Sequence, residues 1–177
     1  MSGEFFVTSD TFFGRPSILN IAKRPFSSIE EHDQTLLNNW NKVVKPNDVV
    51  YHLGNFAWNP VIAEDILKLL NGKIFLIKGE YDEAAISVAK HFLDKLYILP
   101  DSIKTDDKYN CVFSHWPLEK WPGKNKKVFH FHGQTLNKMK TDLKKMRRIN
   151  ACTDNWNFTP QPIGDTIEML KKFKEKQ

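Results

Sequence analysis

The stretch that decides the fold is Tyr51-His52-Leu53-Gly54-Asn55-Phe56, which follows Asn47-Asp48-Val49-Val50. Its β-branched and aromatic residues predict a short strand, and its glycine predicts a tight turn after that strand. Asn55 is then the first polar side chain beyond the strand. Because open α/β sheets bind ligands at the carboxyl ends of their strands, Asn55 is the first candidate site residue.

Four further stretches have the same form, an apolar run that ends in a polar group; they are residues 5–10, 74–80, 111–115 and 128–133. In the last of these, two histidines stand two positions apart, so on a strand they point to the same face. The polar groups at these strand ends are Asp10, Asn55, Glu80, His115, His130 and His132, with Tyr81 and Asp82 beside them. Imidazole and carboxylate groups are the usual ligands of Mn, Fe or Zn. The pattern therefore raises the question of whether the strand ends converge on one metal site.

Length and composition narrow the class of protein. A chain of 177 residues, 41% hydrophobic and 27% charged, is typical of one globular domain with a substantial core, so we expect a single domain over residues 1–177. No apolar run approaches the roughly 20 residues of a membrane span, and the first residues lack the pattern of a signal peptide. Cys111 and Cys152 stand outside any metal-binding spacing and fit a reducing cytosol. We expect a cytoplasmic protein with no membrane partner, and its net charge of +5 permits an anionic ligand.

The order of the predicted elements indicates a mixed α/β fold. A capping-box pattern predicts a helix over residues 28–44, on which His32 is expected at the surface. Asn59-Pro60 predicts the start of a second helix, apolar spacing predicts a third over residues 85–96, and residues 11–16 read as a loop. Strands are predicted over residues 4–9, 73–78, 97–99, 103–105, 109–114, 127–132 and 148–153, and the chain closes on a helix that carries Ile163, Ile167, Leu170 and Phe173. This order predicts mixed sheets with helices outside them.

These segments resemble the calcineurin-like metallophosphoesterases, and most closely their small bacterial and bacteriophage branch. The resemblance covers nearly the whole chain, and it is carried by Thr8-Ser9-Asp10-Thr11, Asn39-Trp40-Asn41, Val50-Tyr51-His52-Leu53-Gly54, Ser114-His115-Trp116-Pro117, His130-Phe131-His132-Gly133 and Asp154-Asn155-Trp156. The family fold is an α+β sandwich of two mixed β-sheets flanked by helices. Its five motifs are D-x-H, G-D, G-N-H-D/E, a lone H and G-H-x-H, and they imply a two-metal phosphoesterase.

The first three motifs depart from the family pattern. The first keeps Asp10 but has Phe12 in place of the metal-binding histidine. The second has Asn55 where the family places an aspartate that bridges both metals. In the third, Glu80 replaces the asparagine ligand, and Tyr81 replaces the histidine thought to protonate the leaving group. Phenylalanine cannot ligate a metal, and an amide carries no net charge to hold two cations together.

The last two motifs keep their three histidines, although Phe129 stands where the family has glycine. The resemblance therefore implies a competent set for one divalent ion, Mn, Fe or Zn. The residues of that mononuclear set are Glu80, His115 and His130, with Asn55 as a weak fourth group. The other metal position keeps Asp10 and His132, for which we expect a hydrogen-bonded pair without a metal.

Two functions of different classes stay open. We favour a catalytically degenerate homologue that binds a phosphorylated small molecule or a partner protein, a host protein if the chain is phage-encoded. The alternative is a single-metal phosphodiesterase or phosphatase that acts on nucleotides or nucleic acid through Glu80, His115 and His130. In that alternative Tyr81 and Asp82 are the candidate catalytic residues, although a phenol with a pKa near ~10 is a poor proton donor at neutral pH.

A basic segment near the C-terminus offers a third possibility. Leu136, Met139, Leu143 and Met146 have helical spacing. The basic residues among and after them are Lys138, Lys140, Lys144, Lys145, Arg147 and Arg148. The segment is either a nucleic-acid surface or a solvated helix face, and we expect the solvated face.

Overall fold

The computed structural model describes residues 3–105, 109–136, 138 and 147–175, which form nine β-strands in two sheets and five α-helices. The strands are β1 (Phe5–Thr8), β2 (Val49–His52), β3 (Lys73–Ile77), β4 (Leu96–Leu99), β5 (Ser102–Lys104), β6 (Cys111–Ser114), β7 (Phe129–His132), β8 (Arg148–Asn150) and β9 (Gln161–Pro162). The helices are α1 (Ser17–Ile21), α2 (Ile29–Val43), α3 (Pro60–Leu69), α4 (Glu83–Val88) and α5 (Ile163–Glu175).

Both sheets are mixed, as the sequence predicts. The first has the strand order β4-β3-β2-β1-β9, in which β1 to β4 are parallel and β9 runs antiparallel to β1. The second has the order β5-β6-β7-β8, in which β6 to β8 are parallel and β5 pairs antiparallel with β6. Because parallel strands all end at the same edge of a sheet, the residues after β1 and β2, and those after β6 and β7, are placed side by side.

Two helices begin where the sequence predicts, each at a side-chain cap. The Ser28 hydroxyl accepts a hydrogen bond from the backbone N–H of Glu31 at 3.2 Å and begins α2. The Asn59 side chain accepts from the backbone N–H of Ile62 at 3.0 Å, and Pro60 fills the first position of α3. These local signals fix the entry points of the helices that cover the first sheet.

The core has two main layers. One joins the first sheet to α2, α3 and α4, and Trp40 is its largest fully buried side chain. The other joins the two sheets and α5. The Tyr51 and Phe113 rings, one from each sheet, stack there at 4.7 Å between centroids, so the sheets pack face to face. In the part of the chain that the structure describes, no helix combines the length and apolarity needed to cross a membrane.

Several predicted boundaries are wrong. The helix predicted over residues 85–96 ends at Val88, and after a 3₁₀ turn at Ala89–His91 the chain enters β4. The strand predicted over residues 148–153 ends at Asn150, and α1 was not predicted at all because Ser17–Ile21 is too short to show a helical period. The strands predicted over residues 103–105 and 109–114 correspond to β5 and β6, which pair antiparallel, and residues 106–108 between them lie outside the described residues.

Candidate functional site

The candidate site lies where the loops after β1, β2, β6 and β7 meet. The backbone N–H of Asp10 donates to the carbonyl of Gly54 at 2.9 Å, which joins the ends of β1 and β2. The backbone N–H of Gly133 donates to the carbonyl of His115 at 2.9 Å, which joins the ends of β7 and β6. Asp10 and Gly133, which are 123 positions apart in the chain, are thereby brought to one place.

Asp10 is at the centre of this place, and its carboxylate is fully buried. The Asn55 side-chain amide donates to its Oδ1 at 2.8 Å. Its Oδ2 accepts from the hydroxyl of Ser9, the backbone N–H of Gln134 and the thiol of Cys152, each at 2.8 Å. Burial and the neighbouring Asp10 raise the pKa of Cys152 well above its usual value, so the thiol keeps its proton and acts as the donor. Both carboxylate oxygens are therefore engaged by the protein itself.

Asn55 acts as a donor toward Asp10, not as an acceptor facing outward. Its backbone has φ 60°, a left-handed conformation that asparagine adopts more readily than most residues. The side-chain nitrogen faces the Asp10 carboxylate and the Gln134 carbonyl oxygen, the latter at 3.2 Å. The side-chain oxygen accepts from the backbone N–H of Tyr81 at 3.2 Å. These contacts fix the orientation of the amide.

His115 is held between two carbonyl oxygens. Its Nδ1 lies 2.5 Å from the backbone oxygen of Leu53, and its Nε2 lies 2.5 Å from the side-chain oxygen of Gln134. The Gln134 amide is oriented by Asn55 on its oxygen and by Glu80 on its nitrogen, 3.3 Å away. These two contacts fix the orientation of the His115 ring between Leu53 and Gln134.

His130 and His132 are buried and uncharged. Burial lowers the pKa of His130 to about 3 and that of His132 to about 4. The Ser114 hydroxyl donates its proton to the Trp116 carbonyl at 2.6 Å. His130 Nε2 lies 2.8 Å from the Ser114 oxygen and therefore donates to it. His130 Nδ1 then carries a lone pair, and no described residue donates to it. His132 Nδ1 donates to the Gly133 carbonyl at 2.9 Å, which leaves Nε2 as the acceptor nitrogen of that ring.

The two candidate catalytic residues occupy very different places. Tyr81 is 39% exposed at the mouth of the site. Asp82 is fully buried and accepts the backbone N–H groups of Asn55, Phe56 and Gly79 at 2.6–2.7 Å. Burial raises the pKa of Asp82, and the three N–H groups partly offset that rise. Asp82 is therefore placed to hold the Asn55 loop, while a catalytic role for Tyr81 stays a prediction.

A buried arginine that the sequence analysis missed supports the Asp10 loop from below. Arg24 donates to both carboxylate oxygens of Asp154, at 2.9 and 2.8 Å. It also donates to the backbone oxygens of Asp10 and Thr11, at 2.6 and 2.9 Å, and to Nε2 of His32 at 2.7 Å. The expectation that His32 lies at the surface is wrong, because its ring is fully buried in this network.

The described residues do not fit a two-metal centre. Among them, no three side chains of His, Cys, Asp or Glu come together in a way that would hold a metal ion. The Asp10 oxygens already accept protein hydrogen bonds, and His115 Nε2 faces the Gln134 oxygen. His130 Nδ1 has the neutral lone pair that a metal requires, with its other nitrogen fixed by a hydrogen bond. One such nitrogen does not make a site, so the mononuclear set stays a prediction.

The basic segment can be located only in part. Lys138 is exposed, and Arg147 and Arg148 are partly buried. The Arg148 side chain donates to the Leu118 carbonyl at 3.4 Å, and Arg147 donates to the Lys127 carbonyl at 3.1 Å. The predicted helix and its other lysines, Lys140, Lys144 and Lys145, lie outside the described residues. Nucleic-acid binding therefore stays a prediction.

Comparisons with known proteins bear on the fold. No protein-family model matches the chain. It is 28% identical over 176 residues to an uncharacterized protein of Methanocaldococcus jannaschii, an alignment that covers 97% of this chain and 93% of the relative. It is similar to the crystal structure of a protein of unknown function from Aquifex aeolicus, with a TM-score of 0.70 at 23% identity, over 94% of this chain and 99% of that one.

A more distant similarity is to the nuclease MPE of Pseudomonas putida, with a TM-score of 0.47 at 15% identity, over 74% of this chain and 60% of that one. The Aquifex similarity supports the two-sheet α/β fold that the sequence predicts. The resemblance to metallophosphoesterases continues to depend on the sequence motifs.

Proposed function

We propose that this protein binds a phosphorylated ligand or a partner protein on a phosphoesterase-like fold, and that it does not catalyse two-metal hydrolysis. The observation that carries the proposal is the contact between Asp10 and Asn55. Two divalent cations about 3.5–4 Å apart need an anionic group between them. Here the residue at the bridging position is neutral, and its nitrogen faces the Asp10 carboxylate at 2.8 Å.

The rest of the site supports binding over metal catalysis. Gln134 links Asn55, His115 and Glu80 through its side chain, and its backbone N–H donates to Asp10. Gln134 therefore contacts His115 Nε2 and Asp10 Oδ2, two of the atoms that would otherwise be metal ligands.

Metal content and hydrolysis test the proposal together. The protein is dialysed against trace Mn, Fe and Zn, its metal content is measured by plasma mass spectrometry, and hydrolysis of bis(p-nitrophenyl) phosphate is assayed with each ion. We expect far less than one ion per chain and no turnover above that of His115→Ala. Near-stoichiometric metal that disappears in His130→Ala, with turnover that disappears in His115→Ala, would overturn the proposal.

One observation favours the alternative of a single-metal hydrolase. His130 Nδ1 is buried with a lone pair to which no described residue donates, and a metal would satisfy it. In that case Glu80 and His115 would complete the set, and Asn55 would orient the phosphate. The set requires His115 Nε2 to release the Gln134 oxygen. The metal measurement above therefore also decides between the two functions.

A further inference from the structure

Three aromatic rings surround one arginine at the mouth of the candidate site. The guanidinium carbon of Arg15 lies 4.7 Å from the ring centroid of Phe12, 4.6 Å from that of Trp58 and 4.3 Å from that of Tyr81. The Tyr81 ring lies 5.7 Å from each of the other two rings. All three distances are within the range of cation–π attraction, so the rings hold the charge in place. We call Phe12, Trp58 and Tyr81 the aromatic cage.

The cage lies partly at the surface, and Arg15 itself is half-buried. Trp58 is 44% exposed and Tyr81 is 39% exposed, while Phe12 is buried beneath them. Arg15 Nε donates to the Ser17 hydroxyl at 3.1 Å. Within the described ranges no carboxylate pairs with Arg15, and no acceptor is bonded to its two terminal nitrogens. The protein therefore orients the fork of the guanidinium, and among the described residues no group occupies the terminal nitrogens that would bind a ligand.

The cage is built on the same loops as the candidate site. The backbone N–H of Phe12 donates to the Asn55 carbonyl at 2.9 Å, and the backbone N–H of Tyr81 donates to the Asn55 side-chain oxygen at 3.2 Å. Phe12 and Tyr81 are also the two residues that, by the resemblance, replace family histidines. The changes that remove a metal ligand and a proton donor thus supply two of the three rings that hold a cation.

We propose that Arg15 is the anion-binding residue of this protein and forms a metal-independent site for the phosphate group of a small phosphate ester. The inference rests on the proposed function and names the group that recognises its phosphorylated ligand. A guanidinium is charged at all physiological pH values and matches two phosphate oxygens with two parallel N–H groups. Because the cage fixes its orientation beforehand, less conformational entropy is lost on binding.

Titration calorimetry with inorganic phosphate and with phenyl phosphate, each measured with and without EDTA, tests the site. We expect the wild-type protein to bind both probes and Arg15→Gln to bind them about 10- to 100-fold more weakly, the effect of losing charged hydrogen bonds. Arg15→Lys keeps the charge without the fork and should lie between the two. Lys42→Gln, an exposed change of equal charge on α2, is the matched control and should bind like wild type.

Trp58→Leu removes one exposed ring of the cage and should weaken both probes severalfold while the fold, followed by circular dichroism, is kept. This variant and Arg15→Lys keep the test valid if Arg15→Gln does not fold. Equal binding by wild type and the Arg15 variants overturns the inference and leaves the proposed function standing. Binding that EDTA abolishes in the wild type also overturns it. No binding of either probe to wild type overturns both the inference and the phosphorylated-ligand form of the proposed function.

Discussion

Removal of the Asp154 carboxylate should show how strongly the buried arginine network supports the candidate site. Arg24 and Asp154 form a two-pronged ion pair, with the side chains 0% and 4% exposed. In Asp154→Ala the guanidinium stays buried, and its remaining acceptors, such as the backbone oxygens of Asp10 and Thr11, are neutral. The substitution therefore leaves an uncompensated charge in the interior.

The expected cost follows from that burial. Breaking a buried pair by removing one partner costs about 3–5 kcal/mol, because desolvation of the remaining charge is no longer offset. For a chain of this length, each kcal/mol lowers the melting temperature by about 2–4 °C, so the loss is about 6–20 °C. Replacing both partners, as Arg24→Met with Asp154→Leu, should cost less than the sum of the two single changes, because no buried charge remains.

Urea unfolding followed by circular dichroism measures these free energies. The control is Glu64→Gln, which removes the exposed pair with Lys68, whose side chains are 38% and 55% exposed. Because both side chains are exposed to solvent, that pair should contribute little to stability. A loss below about 1 kcal/mol in Asp154→Ala would refute the reasoning, because it would mean that water or another group compensates Arg24. A double variant that loses as much as the sum of the single variants would refute it as well.

Two further predictions concern a buried histidine and a glycine of the site. Burial lowers the pKa of His52 from 6.5 to about 3. As the pH falls below about 6.5, the His52 ring is therefore protonated in the unfolded chain but not in the folded one. The free energy of unfolding then drops by up to about 1.4 kcal/mol per pH unit. In His52→Leu the pH slope of the unfolding free energy should fall by about one proton between about pH 3 and pH 6.5, and an unchanged slope would contradict the prediction. Gly54 has φ 96°, and a Cβ there would lie 2.4 Å from His115 Nδ1, so Gly54→Ala should cost more than about 2 kcal/mol in urea unfolding. Gly164→Ala, at a helical position without positive φ, would place its Cβ 3.1 Å from the Tyr109 side chain only, so it should cost less than Gly54→Ala, and equal losses in the two variants would contradict the steric argument.

Local signals explain why much of the fold could be predicted. The caps at Ser28 and Asn59 act within four residues, so they can be read directly from the sequence. The closeness of Asp10 and Asn55 also follows from simple geometry, since each stands after one of two neighbouring parallel strands, whereas the approach of His115 depends on how the second sheet packs on the first. What the strand pattern could not supply is the direction of each side-chain dipole, such as the Asn55 nitrogen facing Asp10.

The residues that were missed act over long distances or look ordinary in the sequence. Arg24 reaches Asp154 across 130 positions, and no local pattern distinguishes it from a surface arginine. His32 lies on an amphipathic helix, where its position suggested exposure, yet the arginine beneath it keeps it buried. Gln134 follows a glycine in a polar turn, and only the tertiary structure shows that it meets His115.

A site that binds phosphate through an arginine in place of a metal would keep phosphate binding but lose hydrolysis. A divalent metal does two things in a phosphoesterase: it attracts the phosphate, and it lowers the pKa of a bound water to about 7, which creates the nucleophile. The caged guanidinium of Arg15 can do the first but not the second, because it has no coordination site for water and does not lose its proton. Phe12 and Tyr81 hold that guanidinium at 4.7 and 4.3 Å. The same two residues that weaken the metal motifs would therefore preserve affinity for phosphate while removing the means to cleave it.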